Sequence, residues 1–231
     1  MTNDYQMLSK TAHKNLRVCE SKLHDLQVAT QIAPVLITEV DRLAAEFSLF
    51  FSKNSQTGDF VLVALLGFSD NENLFLADGQ WQSSSIPLAF ERHPFLIEQT
   101  DGSIFIDMQS PAVSTTEGER IFDDTGEASA YLQRKISVLE AIYNGAEPTQ
   151  QFIKLLQEYN LLEPVKLDIT FANQSQQSID GLYTIASERL AGLAEQAMIN
   201  LHKQNLLQPC FLVMHSLQHL QALIDKKNQR L

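Results

Sequence analysis

His215 and His219, set four residues apart, are the sharpest chemical feature of the chain, because that spacing on a helix puts two imidazoles on one face where a metal ion could bridge them. No Glu follows His215, so the zinc-protease pattern is absent and further ligands would have to arrive from elsewhere in the fold. At roughly 100° per residue, Val213, Leu217, Leu220 and Ile224 share one side of that helix, and the histidines point nearly opposite. The competing reading is therefore a pair that faces solvent or a partner. Asp124-Thr125-Gly126 spells the short signature of aspartic proteases, whose chemistry needs two carboxylates sharing one proton. Only one copy is present, and Asp123 and Glu127 stand where a buried dyad would want apolar neighbours, so a turn is expected there. The alternating carboxylates of a calcium loop are missing too. Cys19 and Cys210 occupy no metal or redox spacing and read as two small buried side chains of a reduced compartment. With no nucleophile elbow, Walker loop or GxGxxG turn, no catalytic residue and no cofactor is assigned.

An aromatic and polar set remains: Asn73, Phe75, Trp81, Arg92 and Phe95, which consecutive hairpins could gather on one edge of a sheet. Indole offers a broad flat contact and guanidinium a fork of donors, a combination suited to a ligand or peptide surface. Core packing accounts for the same residues.

The elements that must position these groups are strands first and helices later. Leu26, Val28 and Thr30 alternate as a half-buried strand, and Phe47 to Ser52 and Phe60 to Gly67 read as buried strands around the loop Asn54 to Gly58. Asp78-Gly79 and Asp101-Gly102 predict two hairpins with type I′ turns. Between strands, Thr38 is placed to cap a helix with Val40, Leu43, Ala44 and Phe47 on one face. Beyond the Ser/Thr/Glu-rich stretch near residues 113 to 119 the period lengthens: Leu132, Ile136, Leu139 and Tyr143 form a stripe that Gly145 should stop, and a second helix should run from Thr149 toward Pro164. A hairpin over Val165 to Phe171 and Ser178 to Ile185 follows, then a helix with Leu190, Leu193, Ala197 and Leu201 in register, then a last helix opening at Pro209. Antiparallel hairpins in the N-terminal half, one later hairpin and C-terminal helices define an α+β fold, read as one domain over residues 1–231.

Net charge is −11, from 17 basic and 28 acidic side chains among 231 residues. Between residues 98 and 127 eight carboxylates face a single Arg120, which gives that stretch −7. Such a field repels phosphate backbones, so nucleic acid is excluded as a partner; a protein partner or a small ligand is expected. No apolar run approaches the ~20 residues of a membrane span and no export signal opens the chain, so a cytoplasmic location is expected.

The order of short motifs is itself informative. His13-Lys-Asn-Leu-Arg17, Val61 to Gly67 leading into Glu72 to Leu76, Gly79-Gln-Trp81, Ile86-Pro87 and Arg92-His-Pro-Phe95 follow one another as in the SapC family of bacterial proteins, and so do Glu117-Gly118, Phe122-Asp123, Leu161-Leu162 and Gly181-Leu-Tyr183. The chain resembles that family over almost its whole length. Gln174 to Gln177 departs from it, since the family's hairpin usually carries a Gly after an Asp, and so does the His215/His219 pair. The resemblance implies an accessory role beside bacterial surface-layer or TonB-dependent uptake systems. It also implies the company of halogenase-like and cupin/JmjC-like proteins, and that company together with the separate His215/His219 pair leaves an alternative: an enzyme or enzyme subunit, metal-dependent, in oxidative tailoring. It brings no catalytic residue set with it.

Overall fold

The computed structural model describes residues 4–23 and 30–231. Along the chain come β1 (Tyr5–Met7), β2 (Arg17–Val18), a 3-10 turn over Glu20–Leu23, β3 (Ile32–Pro34), a 3-10 turn over Ile37–Glu39, α1 (Val40–Leu43), β4 (Leu49–Lys53), β5 (Phe60–Leu65), β6 (Leu76–Ala77) and β7 (Gln80–Trp81). Then follow α2 (Leu88–Glu91), β8 (Phe95–Ile97), β9 (Ile104–Asp107), β10 (Val113–Ser114), β11 (Glu119–Arg120) and α3 (Ala130–Glu158). The chain ends with β12 (Leu162–Thr170), β13 (Gln176–Ile185), α4 (Ser187–Ala191), α5 (Glu195–Lys203), α6 (Leu207–Ser216), a 3-10 turn over Leu217–His219 and α7 (Leu220–Asn228).

Every strand pairing among the described residues is antiparallel, and the class is α+β, as the alternation of hairpins and late helices predicted. The largest sheet has the order β12-β13-β4-β5-β3. Its centre is buried on both faces, since neighbours of opposite orientation such as Phe50 and Phe51 are both inaccessible. Phe51 lies against Phe152 of α3, ring centroids 6.1 Å apart. The later hairpin rejoins this sheet where Tyr183 of β13 pairs with Phe51. Helix α6 is fixed to β4 by fully buried Ser216, whose Oγ accepts from the Leu49 N–H at 2.9 Å and donates to the Val213 carbonyl at 2.7 Å. No described helix is long and apolar enough to cross a membrane.

Two hydrophobic clusters divide the interior. The larger holds the five-stranded sheet and the C-terminal helices; the smaller holds Val18, Phe95, Ile106, Ile121, Tyr131 and Leu139 around the small sheets β1-β9-β8 and β10-β2-β11. One helix serves both. The first half of α3 buries Tyr131, Leu132 and Leu139 in the smaller cluster, and its second half buries Phe152, Ile153 and Leu156 in the larger.

Several expectations are corrected. Gly145 does not end a helix: α3 runs unbroken through it and through Pro148. Gly145 is a contact notch, because a Cβ there would meet Leu36 Cδ1 and Thr38 Oγ1 at 2.9 Å each. Thr149 Oγ1 accepts from the Ile37 N–H at 2.9 Å while donating to the Gly145 carbonyl at 2.6 Å, so the notch and the hydroxyl seat the segment before α1. Thr38 does not cap α1; the Glu39 carboxylate takes the Leu36 N–H instead, at 3.0 Å. Only the Asp78-Gly79 turn has both central residues at positive φ, 51° and 71°, as type I′ demands. At Asp101-Gly102 only the glycine does, because the pair closes a longer loop in which Gly102 N–H reaches the Glu98 carbonyl at 3.0 Å. The helix expected from Ser187 through Leu201 breaks between α4 and α5, and the last helical stretch starts at Leu207, two residues ahead of Pro209. Thr30 lies in no strand, and Leu26 and Val28 lie outside the described residues.

Candidate functional site

The residues expected to converge are distributed over both clusters. Phe75 is part of the large one, 4.3 Å from the Phe47 ring, and Phe95 is fully buried in the small one. Asn73 is buried, and its Oδ1 accepts the Phe75 N–H at 2.9 Å, which shapes the loop entering β6. The end of the chain clamps that loop. Lys227 pairs with Glu72 at 2.5 Å, Glu72 also accepts the Phe68 N–H at 2.8 Å, and Arg230 donates to the carbonyls of Asn73, Leu74 and Leu76 at 3.3, 2.8 and 2.8 Å. Arg92 reaches the Phe95 carbonyl at 3.1 Å, and burial lowers the pKa of its guanidinium. Trp81 lines a cavity.

That cavity is a groove of about 400 Å³ where the two clusters meet. Trp81 and Phe90, with ring centroids 5.2 Å apart, form its aromatic wall, and Leu23, Ile86 and Val138 complete the apolar lining. The Asp78-Gly79 turn presents Trp81. Phe90 and Glu91 come from α2, whose start is fixed by Glu39: this nearly inaccessible carboxylate takes the Leu88 N–H at 2.8 Å and pairs with Arg42 at 3.3 Å. Burial dominates over those donors and raises the pKa of Glu39.

The opposite wall belongs to α3. Lys135, its side chain only 11% exposed, donates from Nζ to the Glu91 carbonyl at 2.7 Å and forms an ion pair with the Glu20 carboxylate at 2.8 Å. Arg134 stands next to it at the rim and pairs with Glu119 at 3.4 Å. Beneath them the Tyr131 ring lies 5.4 Å from Lys135 Nζ. The Tyr131 hydroxyl makes no hydrogen bond of ordinary geometry among the described residues, and burial first, then the Glu20 and Glu119 charges, hold the phenol un-ionised. His93 is pushed down to about 4 by burial, with Arg92 and Lys135 adding to the effect. A larger groove of about 600 Å³ between β5 and α3 has Asp59 as the one charge among its lining residues. The groove at Trp81 is the one where aromatic surface and partly buried charges meet, the combination that orients small ligands.

The sequence missed Phe90, Glu20, Glu91 and Lys135. For Lys135 a signal existed: three residues after Leu132 and four before Leu139, it sits on the stripe predicted to be apolar. The two histidines follow a different course. His215 is exposed on α6, the 3-10 turn Leu217–His219 interrupts the helix between them, and half-buried His219 lies near enough to Glu46 to help lower its carboxyl pKa, whose ionised form Ser84 also stabilises against burial. A 3-10 turn advances about 120° per residue, so the pair is less aligned than an α-helix would make it. Among the described residues, no group of three or more His, Cys, Asp or Glu side chains is placed so that it could hold a metal ion. Asp124 is exposed and pairs with Arg120, while Asp123 accepts the N–H groups of Thr125 and Glu127 at 2.8 and 3.0 Å, which makes the predicted turn. Cys210 is buried, and burial pushes its thiol up to about 12; Cys19 is half-buried. Both are free.

The family model for SapC matches residues 8–223. The chain belongs to the SapC family. No curated protein and no solved structure matches it significantly. The SapC match spans both clusters and every residue of the Trp81 groove, so the groove lies inside the family's own region and not in an appendage.

Proposed function

We propose that this SapC-family chain is a non-catalytic binding protein that takes a small ligand in the groove at Trp81. The observation that supports the reading best is the meeting of an aromatic pair, Trp81 and Phe90, with a partly buried ammonium, Lys135, in a cavity of about 400 Å³. The groups around it favour recognition over reaction: Lys135 is held in an ion pair, and Tyr131 stays a neutral phenol. The cellular setting is the one the family resemblance implies, an intracellular accessory to a bacterial surface-layer or TonB-dependent uptake system.

Trp81 is the only tryptophan of the chain, so its emission reports on the groove alone. Titration with the neutral apolar dye N-phenyl-1-naphthylamine should give saturable energy transfer from Trp81, and Val138→Phe, which fills the groove, should abolish it. Dye binding that leaves Trp81 emission unchanged, or that survives Val138→Phe in a folded variant, would refute the groove as the site.

A further inference from the structure

Resting on the groove as a binding site, we infer that its ligand is a small zwitterion with an apolar body, of the α-amino acid class. The charges of the groove are sorted by wall. Arg134 and Lys135 are neighbours on α3, whereas Glu20 and Glu91 come from the 3-10 turn and from α2. Lys135 pairs with Glu20 at 2.8 Å, Arg134 with Glu119 at 3.4 Å and the Glu91 carboxylate with Arg42 at 3.7 Å, so the charges of the lining stand in opposite-sign pairs, a pattern complementary to a molecule that carries both signs.

Lys135 marks where the ligand carboxylate goes. Its ammonium has three protons to donate; the Glu91 carbonyl takes one, and the Glu20 carboxylate lies 2.8 Å away as its ion-pair partner. With Arg134 beside it, the ammonium can still donate to a ligand oxygen. Glu20 marks the place of the ligand ammonium: its side chain is 54% exposed, and its pairing with Lys135 is through Oε1. Trp81 and Phe90 then receive the apolar body. A carboxylic acid that draws Lys135 to itself gives Glu20 no cation in return, and an amine that draws Glu20 gives Lys135 no anion, whereas a zwitterion answers both members of the pair.

Isothermal titration of the full chain with L-phenylalanine, 3-phenylpropanoate and phenethylamine separates these cases. Phenylalanine is expected to bind at least about tenfold more tightly than either truncated analogue, the factor that one charge-assisted hydrogen bond supplies. Glu20→Gln should weaken phenylalanine and phenethylamine while sparing 3-phenylpropanoate, and Arg134→Gln should weaken phenylalanine and 3-phenylpropanoate while sparing the amine. Both side chains are more than half exposed, so the variants are expected to fold. Equal affinity for all three compounds would overturn the zwitterion and leave the groove standing; no binding of any of them at millimolar concentration would overturn both.

Discussion

His93 shows how the charges around the groove bear on stability. It stands in a setting that refuses a proton, because burial and the neighbouring Arg92 and Lys135 bring it from 6.5 down to about 4. Between those two values the unfolded chain binds a proton that the folded chain does not, so stability is lost as pH falls through that window and is complete above it. Glu39, raised by burial, works in the opposite sense, but equally in parent and variant. His93→Gln should therefore flatten the dependence of the urea midpoint on pH between 6.5 and 4 while leaving the curve above pH 7 parallel to the parent's. Identical slopes in the two proteins would contradict the assignment. At this scale the sequence was legible where a residue broke its own pattern, as Lys135 does on an apolar stripe. It was not legible at Phe95 or Phe75, because an aromatic residue looks the same in a core and on a binding face, and only tertiary packing distinguishes them.

Helix α3 is the element that turns two clusters into one groove, since its first half supplies Lys135 and Val138 while its second half anchors on the large sheet. Its continuity through Gly145 and Pro148 is the main point at which local signals misled. Glycine and proline mark helix ends by propensity, yet here long-range packing of Leu36 and Thr38 into the notch outweighs a penalty of about 1 kcal/mol for glycine and about 3 for proline. Gly145→Ala tests that balance: improved propensity should be overridden by the clash, with a net loss of about 1–3 kcal/mol in chemical unfolding. A stabilised variant would show that the notch is not packed. The β12-β13 turn gives the converse case. Gln174 holds φ at 66°, where the Phe171 N–H closes on the Ser175 carbonyl at 2.9 Å, and a side chain in that left-handed region is strained. Gln174→Gly should raise stability by about 0.5–1 kcal/mol without touching the groove, and a loss of stability would contradict the strain. The hairpins themselves were legible because Asx-Gly pairs encode positive φ locally, whereas the length of the loop that Asp101-Gly102 closes depends on the pairing of β8 with β9.

Across the whole molecule, the pairing of β13 with β4 and the clamp of Lys227 and Arg230 on the loop before β6 join residues more than 100 positions apart. No periodicity in the sequence encodes those contacts, which is why the class of fold was readable but the convergence of residues on Trp81 was not. The acidic stretch also changes meaning at this scale. Glu117 and Glu127 pair with Lys22 and Lys10 of the N-terminal segment, at 2.6 and 2.8 Å, so part of that charge serves internal contacts, which solvent screens because the pairs are exposed. The clusters and the bridging helix leave a gap with aromatic rings on one side and cations on the other, where the proposed ligand sits. A two-dimensional NMR titration with L-phenylalanine tests this most directly, through the single Trp81 indole resonance and the methyl groups of Leu23, Ile86 and Val138. These signals are expected to move together and saturate while those of Val61 and Ile153, in the groove between β5 and α3, stay in place. Shifts confined to Val61 and Ile153, or an indole signal that never moves, would contradict that placement of the ligand.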